Sequence, residues 1–176
     1  MVVLPLLSVV LIGWPFGYAS TPYQPTWAAE YPKRAAIMAL AGPVSNLLLV
    51  LVSALAIRIG IWMAVFDNPP AVGFGQVVVA ANAGMWEGVA FVVSVFFSLN
   101  LLLAIFNLIP VPPLDGSGVV PLFLNSSNTS RYQRFIWGEP MLSWVGILVA
   151  WQLFPSVFRP IWLFLVNWIL DGPGYG

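Results

Sequence analysis

The sequence contains no histidine and no cysteine among its 176 residues. Without an imidazole or a thiol, the chain cannot form a Ser-His-Asp or Cys-His catalytic group, a His/Cys zinc site, an iron–sulfur cluster or a disulfide. Charged residues are also scarce, because six Lys and Arg balance six Asp and Glu and leave a net charge of zero. A neutral chain has no general attraction to phosphate backbones, so we expect no nucleic-acid partner.

Apolar side chains are abundant instead. An average soluble domain is roughly 45–50% apolar and about 25% charged. This chain is 60% hydrophobic and 7% charged, with a mean hydropathy of +0.93. So few polar side chains cannot cover a surface that faces water. The composition therefore predicts an integral membrane protein whose main partner is the lipid bilayer.

Four apolar blocks divide the chain, and a helix needs roughly 20 residues to cross the hydrocarbon. They cover about residues 2–13, 35–66, 89–109 and 141–170. We expect the second span to stop near Arg58, with residues 59–66 along the interface. Pro155 and Arg159-Pro160 predict that the fourth block forms two shorter helices. The sequence thus predicts one membrane domain over residues 1–176, an all-α integral membrane protein. It would have about four transmembrane or half-spanning helices and a Pro-rich loop before an Asp-Gly pair.

The basic residues predict the orientation in the membrane. If the second and third blocks each span it, the connectors at about 20–33 and 110–140 lie on the same side. Lys33, Arg34, Arg131 and Arg134 lie in or beside these connectors, whereas residues 67–84 contain no Lys or Arg. The positive-inside rule therefore places loops 20–33 and 110–140 in the cytoplasm.

The second block carries a line of small and polar residues. Gly42, Asn46, Ser53 and Gly60 are spaced by nearly whole helical turns and share one face. One interpretation is a close-packing face that admits a neighbouring helix, with Asn46 bonded across it. The other is a functional site, because polar groups within hydrocarbon are costly. Local chemistry favours the packing interpretation.

The third block ends in a Pro-rich segment that leads to Asp115-Gly116. Three prolines within four residues predict an extended path, and Asp115-Gly116 would then open a short helix over 117–124. On local chemistry alone, Asp115 would cap that helix and Asn107 would tie down the end of the third block. A functional role for both side chains is the alternative.

A family resemblance emerges from two of these motifs. Ala41-Gly42-Pro43-Val44-Ser45-Asn46 is followed by Asn107-x-x-Pro110-x-Pro112-Pro113-Leu114-Asp115-Gly116. Together they resemble the site-2 protease family of intramembrane zinc metalloproteases, and most closely its compact prokaryotic members without a PDZ domain. Residues 15–19 (Pro-Phe-Gly-Tyr-Ala) and the basic pair Lys33-Arg34 fit the same pattern. The resemblance implies zinc-dependent cleavage of transmembrane peptides and a place in a prokaryotic cytoplasmic membrane.

The resemblance also implies roles for individual residues. The family holds its zinc with two histidines of an H-E-x-x-H helix and the aspartate of the Asp-Gly motif, to which Asp115 corresponds. Asn107 and Asn46 match the asparagines of the two motifs, and Asn107 is expected near the active site. We expect Asp115 to lie near the cytoplasmic end of the third block and to face Gly42 and Asn46.

One departure from the family pattern decides what we expect of this chain. It has no H-E-x-x-H and no histidine that could replace it. The family uses zinc, but we expect no cofactor in this chain, with Asp115 as a vestigial third ligand and no complete catalytic set. The sequence leaves open whether the protein is an enzyme, and we predict that the chain as given is inactive.

Two hypotheses account for the missing histidines. In the first, the chain is a truncated copy whose H-E-x-x-H helix would be encoded upstream of Met1, which the genomic DNA would reveal. In the second, it is a degenerate, non-catalytic relative that serves as a structural or accessory subunit of a larger membrane complex. Stoichiometric membrane-protein partners that co-purify in mild detergent would support the second hypothesis.

Overall fold

The computed structural model describes residues 25–138, 140–170 and 174–175. The first apolar block at 2–13 and the family-like segment at 15–19 lie outside these residues. The chain divides into two compact units, residues 1–30 and 31–176. In the first unit, the described part is one short helix, α1 (Pro25–Glu30). The long helices lie in the second unit.

Helices dominate the second unit. In chain order it contains α2 (Pro32–Trp62), β1 (Phe66–Asp67), β2 (Val79–Ala80), α3 (Met85–Leu108), α4 (Asp115–Val119), a 3₁₀ turn (Val120–Leu122), α5 (Ser126–Gly138) and α6 (Pro140–Leu170). Within the described ranges, α2, α3 and α6 are long and apolar enough to cross a membrane. The prediction of an all-α membrane protein is confirmed.

The second span does not stop where the sequence suggested. Helix α2 passes through Arg58 without a break and ends at Trp62, so the expected stop near Arg58 is wrong. The chain reverses just beyond it, where Ala64 has a positive φ of 55°. Arg58 is accommodated because its Nη1 donates to the Ile169 carbonyl oxygen at 2.8 Å. The arginine thus bonds to the end of a neighbouring helix.

The fourth block is also more regular than predicted. We expected two helices, but α6 is a single helix that contains both Pro155 and Pro160. Each proline removes one backbone hydrogen bond. Unwinding the helix between them would leave still more backbone groups unpaired where no water can bond to them. One helix with two lost bonds is therefore the better solution in hydrocarbon.

The three long helices alternate in direction, which gives the unit two distinct ends. At the hairpin end, Arg58 near the end of α2 bonds to the last turn of α6, and α3 begins after β1 and β2. At the Asp115 end, α2 and α6 begin and α3 ends. Gly146 in the second turn of α6 packs there on the Pro112 carbonyl.

A line of serines on α3 binds the neighbouring segments. Ser94 Oγ accepts the backbone N–H groups of Val77 and Val78 at 3.0 and 3.2 Å. One turn further, Ser98 Oγ accepts Trp162 Nε1–H of α6 at 2.9 Å. Both hydroxyls are buried. The apolar core extends around them and includes Phe97, Ile57, Leu101, Val166 and Ile169.

Candidate functional site

The Pro-rich segment forms a compact turn between α3 and α4. The Ile109 carbonyl accepts the Val111 N–H at 2.8 Å, and the Val111 carbonyl accepts the Leu114 N–H at 3.0 Å. The expected extended path is therefore wrong. Prolines fix φ near −65°, which suits turn positions as well as extended ones. The turn brings Asp115 back toward the end of α3.

Gly116 is the residue that permits this return. A Cβ atom at position 116 would overlap the carbonyl oxygens of Leu108 and Ile109 at the end of α3. Gly118 packs in the same way against α2, since a Cβ there would lie 2.8 Å from the Cβ of Ala39. These two glycines let α4 contact both α2 and α3. The Asp-Gly pair thus has a steric reason for its glycine.

The Asp115 carboxylate lies against Gly42, the first residue in the line of small and polar residues on α2. Its Oδ2 would be 3.0 Å from a Cβ atom at Gly42, so any larger side chain there would crowd the carboxylate. The side chain is half-buried, and this burial raises the pKa of Asp115 above its ordinary value through desolvation. Asp115 therefore faces α2 at Gly42, as expected, and no hydrogen bond joins it to Asn46 within the described residues.

The cap predicted on local chemistry is absent at this position. Leu114 is the N-cap residue of α4, and it makes no side-chain cap bond. Asp115 belongs to the first turn of the helix, and no hydrogen bond to its carboxylate is found within the described ranges. The expected helix over 117–124 is replaced by α4 and the 3₁₀ turn. The capping interpretation of Asp115 is wrong, because the side chain points to α2 and not along its own helix.

The side-chain amides of the two family-motif asparagines are also available for further hydrogen bonds. Asn107 and Asn46 are both half-buried. Neither amide has a hydrogen bond in the part of the chain that the structure describes, so Asn107 does not tie down the end of α3. By contrast, Asn100 precedes Asn107 by seven residues and shares its face of α3. The side-chain N–H of Asn100 donates to the Phe96 carbonyl at 2.7 Å. Asn107 belongs to the Asp115 end, whereas Asn46 lies one turn beyond Gly42, near the middle of α2.

Tyr132 supports this end from outside the family motifs. Its hydroxyl donates to the Ser117 carbonyl at 2.8 Å and fixes α5 against α4. Burial raises the pKa of Tyr132 through desolvation. Sequence reasoning missed this residue, because one tyrosine in a polar helix gives no signal of its own.

The residues of this chain do not by themselves fit a three-ligand zinc site. Zinc in catalytic sites takes three protein ligands from His, Cys, Asp or Glu. In residues 25–138, 140–170 and 174–175, no three such side chains come together. The full sequence has neither His nor Cys. Asp115 is a single carboxylate beside Gly42.

Comparisons with known proteins agree with the motifs. The model of peptidase family M50 matches residues 8–138. Rip2 of Mycolicibacterium smegmatis, named as a zinc metalloprotease, is 30% identical over 173 residues, which cover 97% of this chain and 55% of Rip2. YwhC of Bacillus subtilis, also named as a zinc metalloprotease, is 30% identical over 175 residues, which cover 89% of this chain and 74% of YwhC. The chain thus spans about half the length of Rip2.

No solved structure matches the chain. The family model nevertheless covers well over half of it, and the matched region contains both sequence motifs and the turn that returns Asp115 to α2. The chain belongs to peptidase family M50, the site-2 protease family.

Proposed function

We propose that this chain carries the aspartate-bearing part of a site-2-protease centre and that Asp115 occupies the position of the metal-binding aspartate. The observation that carries the proposal is the state of this carboxylate. It is half-buried against Gly42 and takes no hydrogen bond in the described part of the chain. The fold packs this carboxylate against a neighbouring helix without using it in a hydrogen bond, and a polar group placed in this way favours a role other than folding.

We further propose that the 176-residue polypeptide as given neither holds stoichiometric zinc nor cleaves a peptide. The family supplies two ligands from histidine, and this sequence has none. One carboxylate holds a divalent cation weakly, because structural and catalytic zinc sites need three or four protein ligands. Asp115, Asn46 and Asn107 then represent the part of the site that this chain retains.

Elemental analysis of the purified chain tests this proposal. After equilibration with zinc and removal of free metal, we expect no stoichiometric zinc and no cleavage of a transmembrane peptide. One zinc per chain that is lost in Asp115→Ala would contradict the proposal. Asp67→Ala is the matched control, since Asp67 is an exposed carboxylate at the hairpin end and should not alter metal content.

We also infer that the Asp115 end faces the cytoplasm of a prokaryotic cell. The four basic residues at 33, 34, 131 and 134 support this orientation, because the hairpin-end connector at 67–84 has none. The natural absence of cysteine allows a direct test with single-cysteine variants and a membrane-impermeant maleimide. In intact cells Ala71→Cys should react and Ser127→Cys should not, and the reverse pattern would contradict the orientation.

A further inference from the structure

Helix α6 presents a polar stripe on an otherwise apolar surface. Gln152, Ser156 and Arg159 follow at intervals of four and three residues, so they share one face of the helix. All three side chains are exposed in the second unit. These three residues are called the Arg159 stripe below.

Contacts with α3 place Arg159 inside the membrane span. On one side of it along α6, Trp162 bonds to Ser98, which lies close to the middle of α3. On the other side, the Phe154 ring contacts the Phe106 ring near the end of α3, with 5.4 Å between the ring centroids. Arg159 lies between these two levels. At about 1.5 Å per residue, it is roughly 4.5 Å from the Trp162 level toward the Asp115 end.

A cation at this depth is costly unless it is paired. Arg58 shows the usual solution, because it bonds to the Ile169 carbonyl at 2.8 Å. For Arg159, no hydrogen bond or ion pair is found within residues 25–138, 140–170 and 174–175. Residues 1–24 contain no Asp or Glu, and the two acidic residues outside the described ranges, Glu139 and Asp171, are 20 and 12 positions away from Arg159 along the chain.

The backbone adds to the polar character of the stripe. Pro160 has no N–H, so the Ser156 carbonyl loses the donor that a regular helix would give it. The stripe therefore presents a cation, an amide, a hydroxyl and an additional carbonyl acceptor. A lipid tail can bond to none of these groups.

We propose that the Arg159 stripe is a docking surface for a transmembrane helix of another protein that carries an Asp or Glu at the level of Arg159. Charge complementarity selects this occupant. A second copy paired through the same face would bring Arg159 toward Arg159, and α6 contains no carboxylate to offset the repulsion. The stripe would thus recognise a partner helix by one buried acidic residue. This inference is independent of zinc binding and of cleavage.

Defined probe peptides test the proposal without knowledge of the natural partner. The full chain is reconstituted in phosphatidylcholine vesicles at alkaline pH with a fluorescent Leu/Ala helix of about 20 residues. The probe carries Glu or Leu at the Arg159 level, or Glu near the hairpin end. Energy transfer from the tryptophans of the chain reports association. We expect the Glu probe to bind on the order of tenfold more tightly than the Leu probe, and only with Glu at the Arg159 level.

Variants of the chain separate the stripe from general effects of charge. Arg159→Leu should abolish the preference for Glu, and Arg159→Lys should retain part of it. Arg134→Leu, which removes an exposed cation of α5, should leave it unchanged. Circular dichroism checks that each variant keeps its helices. We expect Arg159→Leu to fold, because it replaces an exposed charged side chain within the membrane span by an apolar one.

Three results would overturn the proposal. Equal binding of the Glu and Leu probes would mean that Arg159 is satisfied by lipid phosphate or water. A preference for Glu that persists in Arg159→Leu would place recognition elsewhere. Self-association of the chain that depends on Arg159 would identify a second copy as the occupant.

Discussion

The hairpin end and the Asp115 end use their polar groups differently. At the hairpin end, polar side chains bond to the backbone and close the structure. Asn68 donates to the Leu170 carbonyl at 3.3 Å, and Asn167 exchanges two hydrogen bonds with the Tyr175 backbone at 2.8 and 3.1 Å. At the Asp115 end, the side chains of Asp115 and Asn107 have no such bonds within the described residues.

This difference distinguishes groups that fold the chain from groups that the fold leaves available. A buried hydrogen bond contributes about 1 kcal/mol net, and an orphaned buried partner costs more. The hairpin end follows this rule. At the Asp115 end, the half-buried side chains of Asp115 and Asn107 contribute no such bond within the described residues, and functional sites are where a fold is expected to leave polar groups available.

The largest expected effect concerns the packing of α4. Gly116→Ala would drive a Cβ into the carbonyl oxygens of Leu108 and Ile109, which are backbone atoms and cannot rotate away. We expect the free energy of unfolding in lipid micelles, measured by denaturant titration, to fall by about 3 kcal/mol. Gly88→Ala is the matched control, because nothing lies within 4 Å of a Cβ at Gly88 and alanine favours the helix. Equal effects of the two variants would contradict the proposed packing.

A smaller effect is expected from Ser94 at the hairpin end. Ser94→Ala leaves the buried N–H groups of Val77 and Val78 without their acceptor. We expect a loss of about 2 kcal/mol in the free energy of unfolding and faster amide hydrogen exchange at both valines. Ser45→Ala should have almost no effect, since Ser45 is exposed and bonds only to the Ala41 carbonyl of its own helix. Unchanged exchange in Ser94→Ala would show that the segment is held by other contacts.

Sequence reasoning succeeded where one physical requirement dominated. A helix needs about 20 apolar residues to cross the bilayer, and runs of this length located the central parts of α2 and α3. Small residues at whole-turn spacing located the packing face of α2. Structural contacts occur at both ends of that face, with Asp115 at Gly42 and the Phe66 ring at Gly60. The Asp-Gly pair was found because its type and its Pro-rich approach are specific.

It failed where two requirements competed. Pro155 and Pro160 predict a break, but the lack of water in hydrocarbon favours one helix. Asp115 has the chemistry of a cap, but the turn before it directs the carboxylate to α2. Neither the Ser94 bonds nor the Tyr132–Ser117 bond is visible in a local pattern, because each joins segments that only the fold brings together.

The smallest expected effect has the most direct bearing on Asp115. Burial raises the pKa of its carboxyl, so the ionised form is disfavoured in the folded chain. Below the unfolded pKa of about 3.9, both states are protonated, and Asp115→Asn should match the wild type in stability. As the pH rises through the folded pKa, the wild type loses stability relative to the Asn variant.

The free energy of unfolding of Asp115→Asn at neutral pH therefore tests the central claim that the fold positions Asp115 without depending on it. We predict a variant at least as stable as the wild type, with its relative stability increasing from acidic to neutral pH. A loss of more than about 1 kcal/mol at neutral pH would show that the carboxylate is a folding contact. That result would contradict its assignment as a spare metal-binding position.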